Sequence, residues 1–174
     1  MAAARRLFFA FWPSDEFRAE LEAATLCVVR ASGGRPIPPP NFHVTLLFLG
    51  EIPAALLPVI QQAGAALAGS AAFQLEFDTV ESWGRRVLCL TTSTAPAVAI
   101  DLAEKLRASL NNPLKHLDDR PYRPHITLAR DLPRGLPSQP IEMLRQQVSD
   151  FALVESVRDA GGSHYSVLER WPLQ

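Results

Sequence analysis

The chain has 174 residues, 48 % hydrophobic and 20 % charged, and 17 Lys and Arg against 18 Asp and Glu leave a net charge of −1. This is about one domain's worth of sequence with enough apolar material for an ordinary core, which excludes a disordered chain. The near-zero charge disfavours a broad non-specific nucleic-acid footprint and leaves open a small anionic ligand held by one or two local cations.

Residues 5–12 are aromatic and apolar without helical polarity and predict a buried strand. Arg5-Arg6 followed by the six apolar residues Leu7 to Trp12 faintly resembles a secretion signal, but the run is shorter than the usual ~7–15 and no cleavage site follows. A cytoplasmic, reducing setting without a membrane span is therefore expected. Pro13-Ser14-Asp15-Glu16 supplies an N-cap and early acids for a helix to about Arg30. Phe17, Leu21, Ala24 and Val28 keep helical spacing along it, and Ser32-Gly33-Gly34 ends it. Pro36 to Pro40 reads as a stiff connector, and His43 to Leu49 as a strand closed by Gly50. A second helix is expected from near Pro53 to about Ala68. Phe73 to Val80 and Arg86 to Thr92 predict a hairpin around Trp83-Gly84-Arg85, and Ala95 to Leu110 a third helix. Tyr122 to Arg130 is the next strand, Asp131 to Pro140 a surface loop, and Phe151 to Arg158 and His164 to Trp171 two strands around Gly161-Gly162. The order β-α-β-α-β-β-α-β-loop-β-β, with about seven strands, predicts an α+β fold with mostly antiparallel sheets rather than a doubly wound parallel one. One domain over residues 1–174 and a monomer are the simplest expectations. Cys27 and Cys89 are too few for a disulfide framework and are expected as buried, reduced thiols.

The chemistry lies in a repeat. His43-Val44-Thr45-Leu46 and His125-Ile126-Thr127-Leu128 stand 82 residues apart, each after a Pro-containing approach and each opening an apolar strand. With four His and seven Thr in the chain, chance gives two His a Thr two places later about once in a hundred such sequences. On a strand, residues i and i+2 share a face, so each copy shows an imidazole beside a hydroxyl and buries its alternate residues. Two copies facing one another equip a cleft for phosphoryl chemistry without a metal. One imidazole takes a proton, the other gives one, and the hydroxyls hold phosphate oxygens. A single His-x-Thr is most often ordinary half-buried packing; the matched pair is what lifts it above that reading. A zinc site would need a third ligand, and neither motif has a Cys or carboxylate on the same face nearby. No cofactor or metal is expected.

These motifs resemble the 2H phosphoesterase superfamily, and within it the RNA 2′,3′-cyclic phosphodiesterase, or 2′-5′ RNA ligase-like, branch. The resemblance rests most on His43 to Glu51 and Pro124 to Arg130, with support from Arg6 to Ala10 and Tyr165 to Leu173. It implies a bilobal α+β fold with two mostly antiparallel sheets related by a pseudo-two-fold, helices outside and the cleft between lobes. It implies hydrolysis of RNA or nucleotide 2′,3′-cyclic phosphate ends to 2′-phosphates, with a weak 2′-5′ ligation as the reverse type of reaction. By the same resemblance His125 activates water, His43 protonates the departing 3′-oxygen, and Thr45 and Thr127 bind the phosphate.

Arg130 is expected as a further phosphate ligand, or reads as a surface Arg capping the strand end, and strict alternation sets it on the face opposite His125. Phe9, Phe11 and Phe48 are candidates for stacking on a base, each equally readable as core. Arg85, Arg86, Arg120 and Arg123 read as a rim able to guide an RNA end, or simply as solvated surface. Two readings stand beside the enzyme: a non-catalytic nucleotide or RNA-end binding module, and a 2H enzyme acting on another cyclic phosphate or a 2′-5′ linkage.

Overall fold

The computed structural model describes residues 4–160 and 162–174. Its strands are β1 (Ala4–Phe11), β2 (Arg35–Pro36), β3 (Val44–Pro53), β4 (Phe73–Trp83), β5 (Val87–Thr91), β6 (His125–Arg130), β7 (Gln139–Val148), β8 (Asp150–Asp159) and β9 (Gly162–Pro172). Its helices are α1 (Asp15–Ser32), α2 (Leu57–Ala65) and α3 (Ala97–Leu110). The strands run β7-β4-β5-β6-β3-β1-β8-β9, with β2 added beside β6, and every pairing is antiparallel. The middle of this order is thin: β3 and β6 meet through the pair Val44 and Ile126 alone. The expected two sheets are thus two four-stranded halves, each with a His-x-Thr strand innermost, joined at one seam.

Local chemistry explains the helix ends. Ser14 Oγ accepts the Phe17 N–H at 3.2 Å, and Asp15 and Glu16 sit where the helix dipole favours negative charge. Gly33 at φ +65° closes α1 in the left-handed conformation that glycine adopts freely. Two helices cross the seam from their own halves: α1, following β1, packs on β6 and β7, while α3, following β5, packs on β3. α2 rests on α3 and β9. The helices and one face of the sheet enclose the main core, which includes Phe9, Phe11, Leu46, Leu47, Leu106 and Leu128. On the opposite face of the sheet a smaller cluster, Phe8, Ala10, Ala152 and Val154, is covered by Trp12, Tyr165 and Val167.

Several sequence expectations shift. The connector holds the two-residue strand β2 and a short 3₁₀ turn at Pro39–Asn41, and α2 starts at Leu57 after another such turn at Ala54–Leu56. The region expected as loop yields to β7 from Gln139 onward. Its buried positions Leu144, Gln146 and Val148 do alternate, but Gln146 breaks the apolar pattern that would reveal a strand. Cys89 is buried as expected, whereas Cys27 lies exposed on the solvent side of α1. Among the described residues no helix is long and apolar enough to cross a membrane. Gly161 of the expected final turn lies outside the described residues.

Candidate active site

The two motifs meet at the seam. Antiparallel register about Val44 and Ile126 sets His43 across from Thr127 and Thr45 across from His125. His43 and His125 are then diagonal neighbours, whose backbones in such a ladder lie about 7–8 Å apart. Each ring is oriented the same way. His43 Nδ1 lies 2.7 Å from the Asn41 carbonyl oxygen, and His125 Nδ1 lies 2.8 Å from that of Arg123. A carbonyl only accepts, so each Nδ1 carries the proton and each neutral ring keeps its Nε2 lone pair for the cleft. At His43 that Nε2 is 3.1 Å from Thr45 Oγ1, whose hydroxyl donates to it.

A bulge recurs at the fourth residue of each motif. Across β1 and β3, Phe9 pairs with Leu47 and Ala10 with Thr45, so Leu46 has no partner. Across β5 and β6, Leu88 pairs with Ala129 and Cys89 with Thr127, so Leu128 has none. An extra residue inverts the alternation downstream. Leu46 with Leu47, and Leu128 with Ala129, consequently all point into the main core. The residue five places after each His returns to the histidine face. That residue is Phe48 in one motif and Arg130 in the other. The objection from strict alternation against Arg130 therefore falls: the bulge at Leu128 aims it to the side of His125 and Thr127, where its charge acts on both imidazoles.

The two flanks differ in chemistry. Around His43 the wall is aromatic: ring centroids lie 4.9 Å away for Phe8, 5.7 Å for Trp12 and 5.2 Å for Tyr165. Behind Trp12 the Arg18 guanidinium, itself buried, stacks at 5.0 Å and donates to the Phe42 carbonyl oxygen. This enclosure pushes the His43 pKa down to about 4; the Asn41 carbonyl opposes the shift, and the charges of His125, Arg130 and Arg18 add to it. His125 moves in the same direction, first through burial, then through Arg123, Arg130 and Arg120, with the Arg123 carbonyl opposing. Its wall is Trp83, 4.4 Å away, over which Arg123 stacks at 5.1 Å while donating to Glu81 at 2.8 Å. Thr127 bonds the Cys89 thiol, whose pKa burial pushes up to about 12, so that thiol stays protonated near neutrality. The cleft thus offers two proton-transfer nitrogens, two hydroxyls and a guanidinium around one small space. Among the described residues no group of three or more His, Cys, Asp and Glu gathers as metal ligands would.

Residues 13–159 match the family described as the 2′-5′ RNA ligase superfamily. The chain belongs to the 2′-5′ RNA ligase superfamily. Relatives named RNA 2′,3′-cyclic phosphodiesterase include one from Escherichia coli, 33 % identical over 99 % of both chains, and one from Thermus thermophilus, 34 % identical over 97 % of this chain and 90 % of the relative. Among solved structures, E. coli LigT in complex with 3′-AMP superposes with a TM-score of 0.90 at 30 % identity, covering 98 % of this chain and 99 % of that one. The apo form of the same protein gives 0.89, with 99 % of each chain covered.

Within this superfamily fold, the site residues expected from sequence separate cleanly. His43, Thr45, His125, Thr127 and Arg130 share the cleft face. Phe48 is there too, 43 % exposed, with the Arg6 guanidinium over its ring at 4.6 Å. Phe9 and Phe11 are not. Both are fully buried on the helix-covered face, Phe9 against Phe151 and Trp171 and Phe11 against Phe73, so neither has a ring face free for a base. The neighbour with the opposite parity, Phe8, is the one beside His43. Trp12, Tyr165 and Trp83 also line the cleft, with the buried Cys89 beneath Thr127, and none of them carried a motif; period-two alternation from Phe8 or from Thr127's partner strand is the signal that would have found them. His116 and His164 stand outside it, His164 paired with Asp159 at 3.1 Å.

Proposed function

We propose that this chain is a metal-independent cyclic phosphodiesterase that opens RNA or nucleotide 2′,3′-cyclic phosphate ends to 2′-phosphates, with weak 2′-5′ ligation as the reverse type of transfer. The reading is supported chiefly by the paired imidazoles, each anchored through Nδ1 and each turning Nε2 toward the same cleft beside Arg130. The names of the relatives in the two bacteria point the same way.

In this reading His125 Nε2 takes a proton from water as its oxygen bonds to phosphorus. The bond from phosphorus to O3′ breaks, and protonated His43 delivers its Nε2 proton to O3′. The products are a 2′-phosphate and a free 3′-hydroxyl, and solvent returns the two rings to their starting states. Thr45, Thr127 and Arg130 hold the non-bridging oxygens. The ligand-free state has His43 neutral, since its pKa stands near 4. The phosphate anion brings the compensating charge and raises that pKa on binding. Protonation also converts Nε2 from acceptor to donor, which releases the Thr45 hydroxyl from the ring and frees it to donate to the phosphate. Phe48 supplies a stacking face for the terminal base. The chain acts as a monomer in the cytoplasm, on RNA 3′ ends or small cyclic nucleotides.

The test is ³¹P NMR of an oligonucleotide ending in a cyclic phosphate after incubation with the protein. A 2′-phosphate supports the reading. A 3′-phosphate reverses the roles of the two ribose oxygens, and an unchanged cyclic phosphate leaves a binding module.

A further inference from the structure

The β4–β5 turn, Trp83-Gly84-Arg85-Arg86, juts past His125. Gly84 has φ +62° there, a conformation that costs glycine nothing and lets the turn tighten in open space. Behind the turn lies a cavity of about 620 Å³ lined by Trp83, Arg85, Arg86, Arg120, Arg130 and Asp131, among others. Four guanidinium groups face one carboxylate. That carboxylate, Asp131, is bound to Arg35 at 3.1 Å, and Arg120 is bound to Asp118 at 2.5 Å. Arg85, Arg86 and Arg130 make no ion pair with a carboxylate among the described residues, and neither do Arg6, Arg30, Arg107 and Arg134, so it is their gathering around one hollow that sets the three apart. Three unneutralised guanidiniums around one hollow repel each other, and an entering anion relieves that repulsion. The planar forks select phosphate over a point anion. The volume suits a nucleotide-sized occupant.

The cavity is continuous with the active site through two side chains. Trp83 forms its wall and touches His125, and Arg130 lines it while acting on both imidazoles. It therefore opens on the His125 flank, opposite the aromatic enclosure of His43. Attacking and leaving oxygens lie on opposite sides of phosphorus in an in-line displacement. A phosphate seated here thus lies beside the reacting centre on its attack side, within reach of either strand that meets there.

We propose that this cavity is a second phosphate subsite, holding a backbone phosphate of an RNA strand next to the reacting one, with Arg85 and Arg86 as its specific ligands. The proposal rests on the cyclic-phosphodiesterase reading for the identity of the reacting phosphate, but not for binding itself. The bound phosphate comes either from the strand that ends in the reacting phosphate or from a strand presenting a 5′-hydroxyl in place of water.

The test uses Arg85→Gln/Arg86→Gln, both substitutions outside the catalytic groups. Fluorescence anisotropy measures binding of a four-nucleotide RNA ending in a 2′-phosphate, a four-nucleotide RNA with free 5′- and 3′-hydroxyls, and adenosine 2′-monophosphate. The wild type is expected to bind at least one strand more tightly than the mononucleotide. The double variant is expected to lose about ten- to a hundredfold in affinity for that strand and nothing for the mononucleotide, and its salt slope falls by about 0.7 for each phosphate it no longer neutralises. Loss on the 2′-phosphate strand assigns the subsite to the reacting strand, loss on the hydroxyl strand to the attacking one, and loss on both to either. Strand binding no tighter than mononucleotide binding, unchanged strand binding in the variant, or equal loss on strand and mononucleotide overturns the proposal. Cyclic-phosphate turnover by the wild type is measured alongside. Its absence with the binding pattern intact counts against the catalytic reading alone.

Discussion

Replacing His43 by Gln separates the aromatic enclosure of that ring from every other source of acid sensitivity. The folded chain holds the His43 pKa near 4 against an ordinary 6.5, and desolvation is the main cause. Between those values the unfolded chain binds more protons than the folded one, so stability rises with pH across that window. The contribution is fully present above about 6.5 and is lost as pH falls toward 4. The gap of about 2.5 pH units, at about 1.4 kcal/mol each, is on the order of 3 kcal/mol. Gln is neutral throughout and similar in length, so His43→Gln removes this linkage and keeps a polar group at the Asn41 carbonyl. His125 and the carboxylates that pair with Arg are the same in both proteins and cancel in the difference. Urea unfolding at pH 7, 6, 5 and 4 is expected to show the wild type losing about 3 kcal/mol more than the variant over the range. Parallel curves would mean that His43 titrates as a solvated imidazole, and the account of its enclosure by Phe8, Trp12 and Tyr165 would be refuted. Ligand binding is linked to protons in the same way: if the phosphate draws a proton onto His43, product affinity rises as pH falls through the range just above 4, with one proton taken up per complex.

His43→Ala and His125→Ala are each expected to lose about 10²–10⁴ in kcat on a nucleoside 2′,3′-cyclic monophosphate, while His116→Ala and His164→Ala keep near wild-type rates, as steady-state kinetics will show. EDTA should leave the wild-type rate unchanged; its abolition of turnover would remove the two-histidine mechanism. Deleting Leu128 removes the extra residue of the β6 bulge and puts Thr127, Ala129 and Arg130 in plain alternation, so Arg130 should keep the cleft face and KM for the phosphate should stay well below that of Arg130→Ala, provided circular dichroism shows the fold retained. A Cβ at Gly64 would stand 2.6–2.7 Å from the Trp171 ring, which is packed on Phe9 and Phe151, so Gly64→Ala should cost about 1–3 kcal/mol in urea unfolding without altering the pH dependence of turnover.

What the sequence made legible was whatever rests on period and spacing. The N-cap at Ser14 and the glycine stop at Gly33 mark α1 because their backbone chemistry is local. The two histidines were visible because a His-x-Thr pair on a strand is a statement about one face. The strand β7 was hidden because Gln146 occupies a buried slot that an apolar residue would have advertised, and its pairing with β4 is a long-range fact. Phe9 and Phe11 read as stacking candidates because an all-apolar strand does not declare which parity faces the helices. Only the pairing of Phe8 with Phe48, and of Ala10 with Thr45, settles that Phe8 and not Phe9 stands beside His43.

The bulges show why four residues, rather than three, recur in each motif. A His-x-Thr on a regular strand would align two side chains and then lead the third polar position, at i+4, along the same face. Here the fourth residue drops out of the ladder, so Leu46 with Leu47 and Leu128 with Ala129 both face the core. The apolar doublet binds the end of each motif strand firmly to the helices, and the face toward the cleft resumes one residue later. What stands at that resumed position is the difference between the two halves: Phe48 on one, Arg130 on the other. Backbone geometry alone therefore brings an aromatic ring to one flank and a guanidinium to the other from the same local device. Gly34 supports the second arrangement, since a Cβ there would stand 2.8 Å from the Arg130 carbonyl oxygen, and β2 pairs Arg35 with Arg130 just beside it. The aromatic enclosure of His43 and the arginine-lined hollow beyond His125 extend this asymmetry outward in opposite directions. A duplicated strand motif would by itself bind an anion equally from both sides; the unlike residues five places after each His give the cleft a direction, and a reaction with distinct attacking and leaving oxygens needs one.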